Sequence, residues 1–501
     1  MSSRAKKIVH GSMLGACNFF ANAVAGLVLM PFIVHALGDR MYGLWMVVGS
    51  ILGYYGFFDF GLVFAVQRYI SQAIGREDYK ETNKFVNTSF YLYAVIGFIV
   101  LLLLVTGALV APFFIKNVAE IDLFRKILVI LGLSVAIGFP MRVFSAVLIS
   151  HIRYDLYNII ELIKIAARVI LVIFFLKTGH GILALALINF GIEMCGYLIK
   201  FILVKSIFKY ITFSRKYIEM GKIKPLFKFS FFSFVIQIVD RFRLDISNFV
   251  IAGFLGLAYV TLYSVSSNLI RYFNQLIINT VSLLLPVFSQ YEGKGDYDSI
   301  REKYILSVKI SGYLSTLIGG TMILFGRVFI ERWMGKDYLA AYPILVVLVI
   351  STVFSSIQSP SWGLLYGISK HRFLAIANTV EGFISFFMAL ILVRKFGLMG
   401  VALGSAIPMI VLKVMIQPVY VCRVIKIGVS EFYFKILLPI VLKSSVFFLI
   451  LWHVLKGFMV PNYFNIVPLI ICECAIISTF ILFFGFNSIE RKYFRKIILG
   501  Y

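Results

Sequence analysis

The residues most able to do chemistry are charged side chains embedded in apolar stretches. The densest set is Asp240-Arg241-Phe242-Arg243-Leu244-Asp245, near the middle of the stretch Leu226–Phe254. On a helix Arg241 and Asp245 lie four apart and Asp240 and Arg243 three apart, so two ion pairs can form along one element. Two readings follow. The four charges neutralise one another inside a bundle, or the arginines face a cavity and grip phosphate oxygens through their planar two-pronged donors, with Asp240 and Asp245 orienting them while the site is empty.

A second set, Glu161, Lys164 and Arg168, falls at spacings of three and four, on one helical face. Glu161 is expected to neutralise Lys164, which leaves Arg168 more nearly free. Arg142 and Arg271 are further embedded cations, and Asp59 is an embedded carboxylate. Glu193, Glu381, Lys413 and Glu473 read either as helix-pairing or snorkelling groups or as parts of a site. The cation group is thus Arg241, Arg243, Arg271 and Arg168, with Arg142 and Lys164 in support. Asp59, Glu193 and Glu381 are carboxylates able to carry a coupling ion. Seven embedded bases stand against seven embedded acids, so the interior as a whole is not plainly cationic.

Other chemistries find no support. No Gly-rich loop ends in Gly-Lys-Ser/Thr, so no ATPase site is visible. The six histidines lack ligand spacing, and no metal or cofactor is expected. Cys17, Cys195, Cys422, Cys472 and Cys474 lie in or at the ends of apolar stretches, which argues against a disulfide framework. Asn87-Thr88-Ser89 matches a glycosylation acceptor but opens an apolar stretch and is discounted.

The elements that must position these charges are membrane helices. Apolar residues make up 61% of the 501, above the roughly one half usual in soluble chains. Fourteen apolar stretches run between Gly11 and Phe486, most of them long enough to cross about 30 Å of hydrocarbon as helices and too long for barrel strands. The first, behind Arg4, Lys6 and Lys7, has no clear small-residue cleavage site and reads as a retained helix. The net charge of +25 is read as loop charge on the cytoplasmic side rather than a nucleic-acid footprint. Both termini are then cytoplasmic.

The halves repeat. Ser71-Gln72 and Asp78-Tyr79 recur as Ser289-Gln290 and Asp296-Tyr297, and Leu37-Gly38 recurs as Leu255-Gly256, all at an offset of 218. Pro140, Asn158 and Glu161 recur as Pro360, Asn378 and Glu381 at 220. The unit of repetition holds six stretches, an even number, so both copies enter from one side and are expected to be related by an axis along the membrane normal. The fold class is therefore an all-α polytopic membrane protein of about 14 helices, with two parallel six-helix repeats and two C-terminal helices. The divisions are 1–204, a basic cytoplasmic linker 205–225, 226–424 and 425–501. The linker reads either as solvated or as lying on an anionic leaflet.

Leu37-Gly38, Tyr42-Gly43, Asp59-Phe60-Gly61-Leu62 and Arg68-Tyr69-Ile70 resemble the N-terminal signature of the polysaccharide-export and O-antigen flippase family, within the multidrug/oligosaccharidyl-lipid/polysaccharide exporter superfamily. Asp245 to Gly256 with Leu262-Tyr263-Ser264, and Gly397 to Leu403, are similar to its second lobe. The resemblance implies lobes like those of the superfamily's multidrug exporters. It also implies flipping of a polyprenyl-pyrophosphate-linked oligosaccharide across the bacterial cytoplasmic membrane by rocking of the lobes, without enzymatic activity. Membrane lipids and polysaccharide polymerase or chain-length machinery are the implied partners. A drug/cation antiporter with an acidic cavity around Asp59, Glu193 and Glu381, a peptidoglycan lipid flippase, and a non-transporting subunit of a synthesis complex are the alternatives.

Overall fold

The computed structural model describes residues 3–114, 118–227, 246–281, 288, 291–292, 295–368, 370, 372–458, 460–480 and 485. All regular structure among them is helical. Nine segments there are long and apolar enough to cross a membrane. The chain divides into two compact units, Met1–Thr261 and Leu262–Tyr501.

The first unit holds α1 (Ser3–Leu37), α2 (Asp39–Tyr55), α3 (Leu62–Gly75), α4 (Tyr79–Phe114), α5 (Val118–Ser150), α6 (Tyr154–Lys177) and α7 (Ile182–Ile207). α4 packs along α5, α5 along α7, and α6 between α1 and α7. Small residues permit the closest approach, as membrane helices require in the absence of a hydrophobic drive between them. A methyl group at Gly97 of α4 would collide with the Ala136 carbonyl of α5.

The second apolar stretch is not one helix. α2 tightens into a 3-10 turn, Gly56–Asp59, and Phe60 and Gly61 follow with φ of 49° and 70° before α3 begins. Glycine takes that left-handed geometry freely, whereas phenylalanine is strained there. The break falls at Asp59.

The basic segment after α7 is docked on α4. Two asparagines one helical turn apart act as peptide-like pairing partners. Asn83 Nδ2 donates to the Tyr210 carbonyl (2.9 Å) and Asn83 Oδ1 accepts from Thr212 N (2.8 Å). Asn87 repeats the pattern with the Thr212 carbonyl and Ser214 N, each at 2.9 Å. Thr88 Oγ1 accepts from Glu219 N, and Lys222 pairs with Glu81. His151 stacks on Phe208 and lies 2.6 Å from Tyr210 Oη. At roughly 1 kcal/mol per bond the amide pairs alone are worth several kcal/mol.

The second unit holds most of α8 (Leu257–Val281), then α9 (Tyr297–Trp333), α10 (Ala341–Ile357), α11 (Pro360–Gly367), α12 (Arg372–Ile410), a π-helical turn Val411–Ile416, α13 (Gln417–Ile425), α14 (Leu438–Leu455) and α15 (Tyr463–Phe480). α12 reverses at Gly397 (φ 57°, ψ −134°), and Gly400 and Gly404 then pack directly on the backbone of Leu392 and Ala389. The segment Arg372–Ile425 is therefore two packed limbs, as the sequence stretches Phe373–Val393 and Gly397–Val421 require.

Candidate functional site: a charge ladder between α6 and α7

α6 and α7 carry an alternating row of five charges. Arg168 Nη2 lies 3.3 Å from Glu193 Oε1, and Lys164 Nζ lies 2.8 Å from Glu193 Oε2. The same ammonium lies 3.1 Å from Glu161 Oε2, whose other oxygen accepts from Lys200 Nζ at 2.7 Å. Each carboxylate bridges two cations, and the row ends on a cation at both sides. Glu161, Lys164 and Arg168 share a face of α6 through their spacing; Glu193, Tyr197 and Lys200 share a face of α7 at i, i+4 and i+7. Gly196 lets the helices close at the ladder, since a Cβ there would press to 2.8 Å from Lys164 Cδ.

The two ends differ. Lys200 is 4% exposed and lies 4.7 Å from the centroid of the Tyr157 ring. The Arg168 side chain is 32% exposed, yet its Nε is buried and donates to no described atom. Arg168 is the open end, with one donor unspent.

A second group sits at the break between α2 and α3. Arg142 Nη1 on α5 lies 2.6 Å from Asp59 Oδ1, Tyr93 Oη donates to the same oxygen at 3.1 Å, and Val63 N donates weakly to Oδ2. The Arg142 guanidinium also lies 4.4 Å from the Phe139 ring centroid. Tyr197 Oη packs against Gly138, one turn before Arg142 on α5. The two groups together hold four cations (Arg142, Lys164, Arg168, Lys200) and three carboxylates (Asp59, Glu161, Glu193). Discontinuous helices with polar groups at the break are where transporters of other folds place substrate and ion sites.

Set against the sequence expectations, Glu161 does pair with Lys164, but Arg168 is not the free cation. Glu193 on the next helix holds it, because α6 and α7, joined by the four residues 178–181, pack side by side. Arg142 is matched to Asp59, 83 residues away in sequence. Arg241, Arg243, Asp240 and Asp245 lie outside the described residues. Arg271 is exposed on α8. Glu381 is 3% exposed on α12. Lys413, in the π-helical turn and 8% exposed, donates to Asn378 Oδ1 (3.2 Å) and Gln417 Oε1 (2.9 Å). Glu473 is 1% exposed, with Oε2 3.0 Å from Thr321 Oγ1. Lys200 and Tyr197 escaped the sequence reading. Their spacing from Glu193 was the available signal, but a lysine near the end of a span reads first as snorkelling.

The sequence model of the polysaccharide biosynthesis protein family matches residues 54–343. The chain belongs to that family. A putative O-antigen transporter of Shigella flexneri is 23% identical over 413 residues, 80% of this chain and 96% of its own length. An uncharacterized membrane protein, EpsK, of Bacillus subtilis is 23% identical over 96% of this chain and 97% of its own length. Among solved structures, the lipid II flippase MurJ in an inward closed conformation superposes with a TM-score of 0.68 at 18% identity, covering 93% of this chain and 98% of MurJ. An inward-facing multidrug exporter also reaches 0.68, at 14% identity over 82% of this chain and 94% of its own. The fold is the one these solved structures share, and nine of the described segments are long and apolar enough to cross a membrane.

Proposed function

We propose that this chain carries a polyprenyl-pyrophosphate-linked oligosaccharide, an O-antigen or other surface-polysaccharide repeat unit, across the bacterial cytoplasmic membrane by alternating access. The observation that carries this reading is the ladder's odd cation. Among the described residues, three cations against two carboxylates leave one positive charge in an apolar bundle, and its open end, Arg168, keeps a buried donor without a described acceptor. An uncompensated charge in hydrocarbon is costly, and an anionic ligand relieves it. A pyrophosphate has the complementary need, and arginine stays ionised through the cycle while offering the forked geometry phosphate accepts.

In this reading Lys164 and Arg168 form the anchor, with Arg142 in reserve. Glu193 yields its cations to phosphate on loading. Asp59, pinned by Arg142 and Tyr93 at a helix break, is the carboxylate from which an ion gradient would be read, with Glu381 as its candidate in the second half. The lobes 1–204 and 226–424 rock about the loaded site, residues 425–501 add peripheral helices, and both termini face the cytoplasm. Polysaccharide polymerase and chain-length machinery are the partners that receive the cargo.

The test is Arg168→Lys, which keeps the charge beside Glu193 and removes the fork. Cell-surface glycan is expected to fall at least tenfold at unchanged protein abundance. An unchanged glycan level in that variant overturns the reading.

A further inference from the structure

Glu473 lies inside an apolar contact. α9 packs against both α14 and α15, and the joint is built from Leu324 and Phe325 of α9, Leu451 of α14, and Ile466 and Ile477 of α15. Glu473 falls seven residues after Ile466 and four before Ile477, on the same helical face, and is buried with them. Its Oε1 is buried and meets no described hydrogen-bond partner. Its Oε2 lies 3.0 Å from Thr321 Oγ1 on α9, and that hydroxyl also lies 2.9 Å from the Leu317 carbonyl oxygen.

A threonine hydroxyl has one proton to give, and a carbonyl oxygen only accepts. The Leu317 contact takes the Thr321 proton, so the contact with Glu473 needs a second one, which the Glu473 carboxyl supplies. An ionised Glu473 leaves one of the two contacts without a proton. It would draw the hydroxyl proton away from Leu317, set two oxygens lone pair to lone pair at 2.9 Å, and stand as a charge among carbon side chains with a single donor, a costly state that uptake of a proton removes. Among the described residues, neighbouring charges do not supply the missing partner. Lys309 and Arg327 lie twelve and six residues from Thr321, off its face of α9. Arg327, and Lys443 and His453 of α14, are exposed. Arg332 lies over the Tyr463 ring at the start of α15, and the thiols of Cys472 and Cys474 flank Glu473 in sequence. We infer that Glu473 is a proton-binding site: it is held as the neutral acid, donating from Oε2 to Thr321 Oγ1, and the bound proton keeps α15 seated on α9. Loss of the proton leaves a carboxylate that water or a cation must satisfy, and α15 has to part from α9 to admit either. Seating and proton binding are thereby linked, acid favouring the seated helix and alkali the parted one.

The test uses the purified full-length chain in lipid nanodiscs. Infrared spectra at neutral pH read the carbonyl stretch of a protonated carboxyl group. The unsubstituted chain is expected to show this band and Glu473→Gln to lose it, with melting temperature unchanged, because the glutamine amide donates to Thr321 Oγ1 as the acid does. Thr321→Val removes the acceptor and should keep the band at a higher frequency, whereas Thr321→Ser should leave it where it was. Hydrogen exchange at the α15 amides, corrected for intrinsic rates, reads the seating. In mildly alkaline buffer it should run about fivefold faster in the unsubstituted chain than in Glu473→Gln, and in mildly acidic buffer the two should coincide. Three results overturn the inference. The first is a band absent from the unsubstituted chain and from Thr321→Val, or one retained in Glu473→Gln. The second is equal α15 exchange of the two chains in alkaline buffer. The third is a melting temperature that sodium raises in the unsubstituted chain and not in Glu473→Gln, which would make the carboxylate a cation ligand.

Discussion

Two regions aligned by a sequence offset of 220 hold different polar networks. Asn158 and Glu161 on α6 correspond to Asn378 and Glu381 on α12. In the first unit Glu161 enters a five-charge ladder whose members Glu161, Glu193 and Arg168 keep side chains 25% to 32% exposed. In the second, Asn378 accepts from Lys413, which also donates to Gln417, and Gln417 donates in turn to the Gln358 carbonyl. Glu381, Lys413, Gln417 and Gln358 are each under 9% exposed. One network is charge-rich and reachable; the other is sealed and threaded with neutral amides. A reachable carboxylate can surrender its cation to an incoming anion, while a sealed network can only hold helices together. In the proposed reading, binding belongs to the first network and cohesion to the second.

The strongest way to break this contrast is Glu193→Gln. It leaves Arg168 without its bridging anion and Lys164 with Glu161 alone. Surface glycan is expected to fall at least tenfold, and quantitative immunoblotting should find the protein still present. A matching loss of protein would make the ladder structural. Lys413→Met is the converse. It strands the Asn378 and Gln417 oxygens inside the second unit at about 2 kcal/mol, so the melting temperature should fall by several degrees while export per molecule stays within twofold. Transport lost at full stability would put Lys413 in the site.

Asn87→Ala tests the same logic on a third amide network, the one that docks residues 210–214 on α4. Removing one bidentate pair should cost about 1–2 kcal/mol locally, read as faster hydrogen exchange at the Ser214 amide with glycan export unaltered. Export that collapses with the docking would show the segment to be part of the transport machinery.

The smallest effect concerns pH. Burial holds the His151 imidazole below its usual pKa, against the opposing pull of the Val147 carbonyl. Val147 can only accept, so Nδ1 carries the proton of the neutral ring and Nε2 accepts from Tyr210 Oη, a phenol pushed up to about 12. A depressed folded pKa means that the unfolded ring takes up protons first. The stability from the neutral ring is therefore complete above about 6.5 and is lost as pH falls toward the folded pKa. Exchange at Thr212, corrected for intrinsic rates, should rise below pH 6.5, and His151→Phe should flatten that dependence. A wild-type profile already flat would remove His151 from the docking.

What the amino-acid order determined by itself was whatever depends on local spacing or on bulk solvent. Apolar stretches matched to a bilayer and the shared face of Glu161, Lys164 and Arg168 follow from helical geometry and from the cost of exposing apolar side chains. The resemblance carried by Asp59-Phe60-Gly61-Leu62 belongs there too. Tertiary structure alone decided who neutralises whom. Charge pairing in a low-dielectric bundle is set by which helix faces meet, so Arg142 found Asp59 across 83 residues, Arg168 found Glu193 on the neighbouring helix, and Lys200 proved to be a ladder end rather than a snorkelling residue. The same holds for the basic segment after α7. Its lysines and arginines suggested solvent or lipid, but Asn83 and Asn87, one turn apart on α4, offer its backbone the hydrogen bonds of a strand, and unmet backbone groups take such partners wherever packing supplies them.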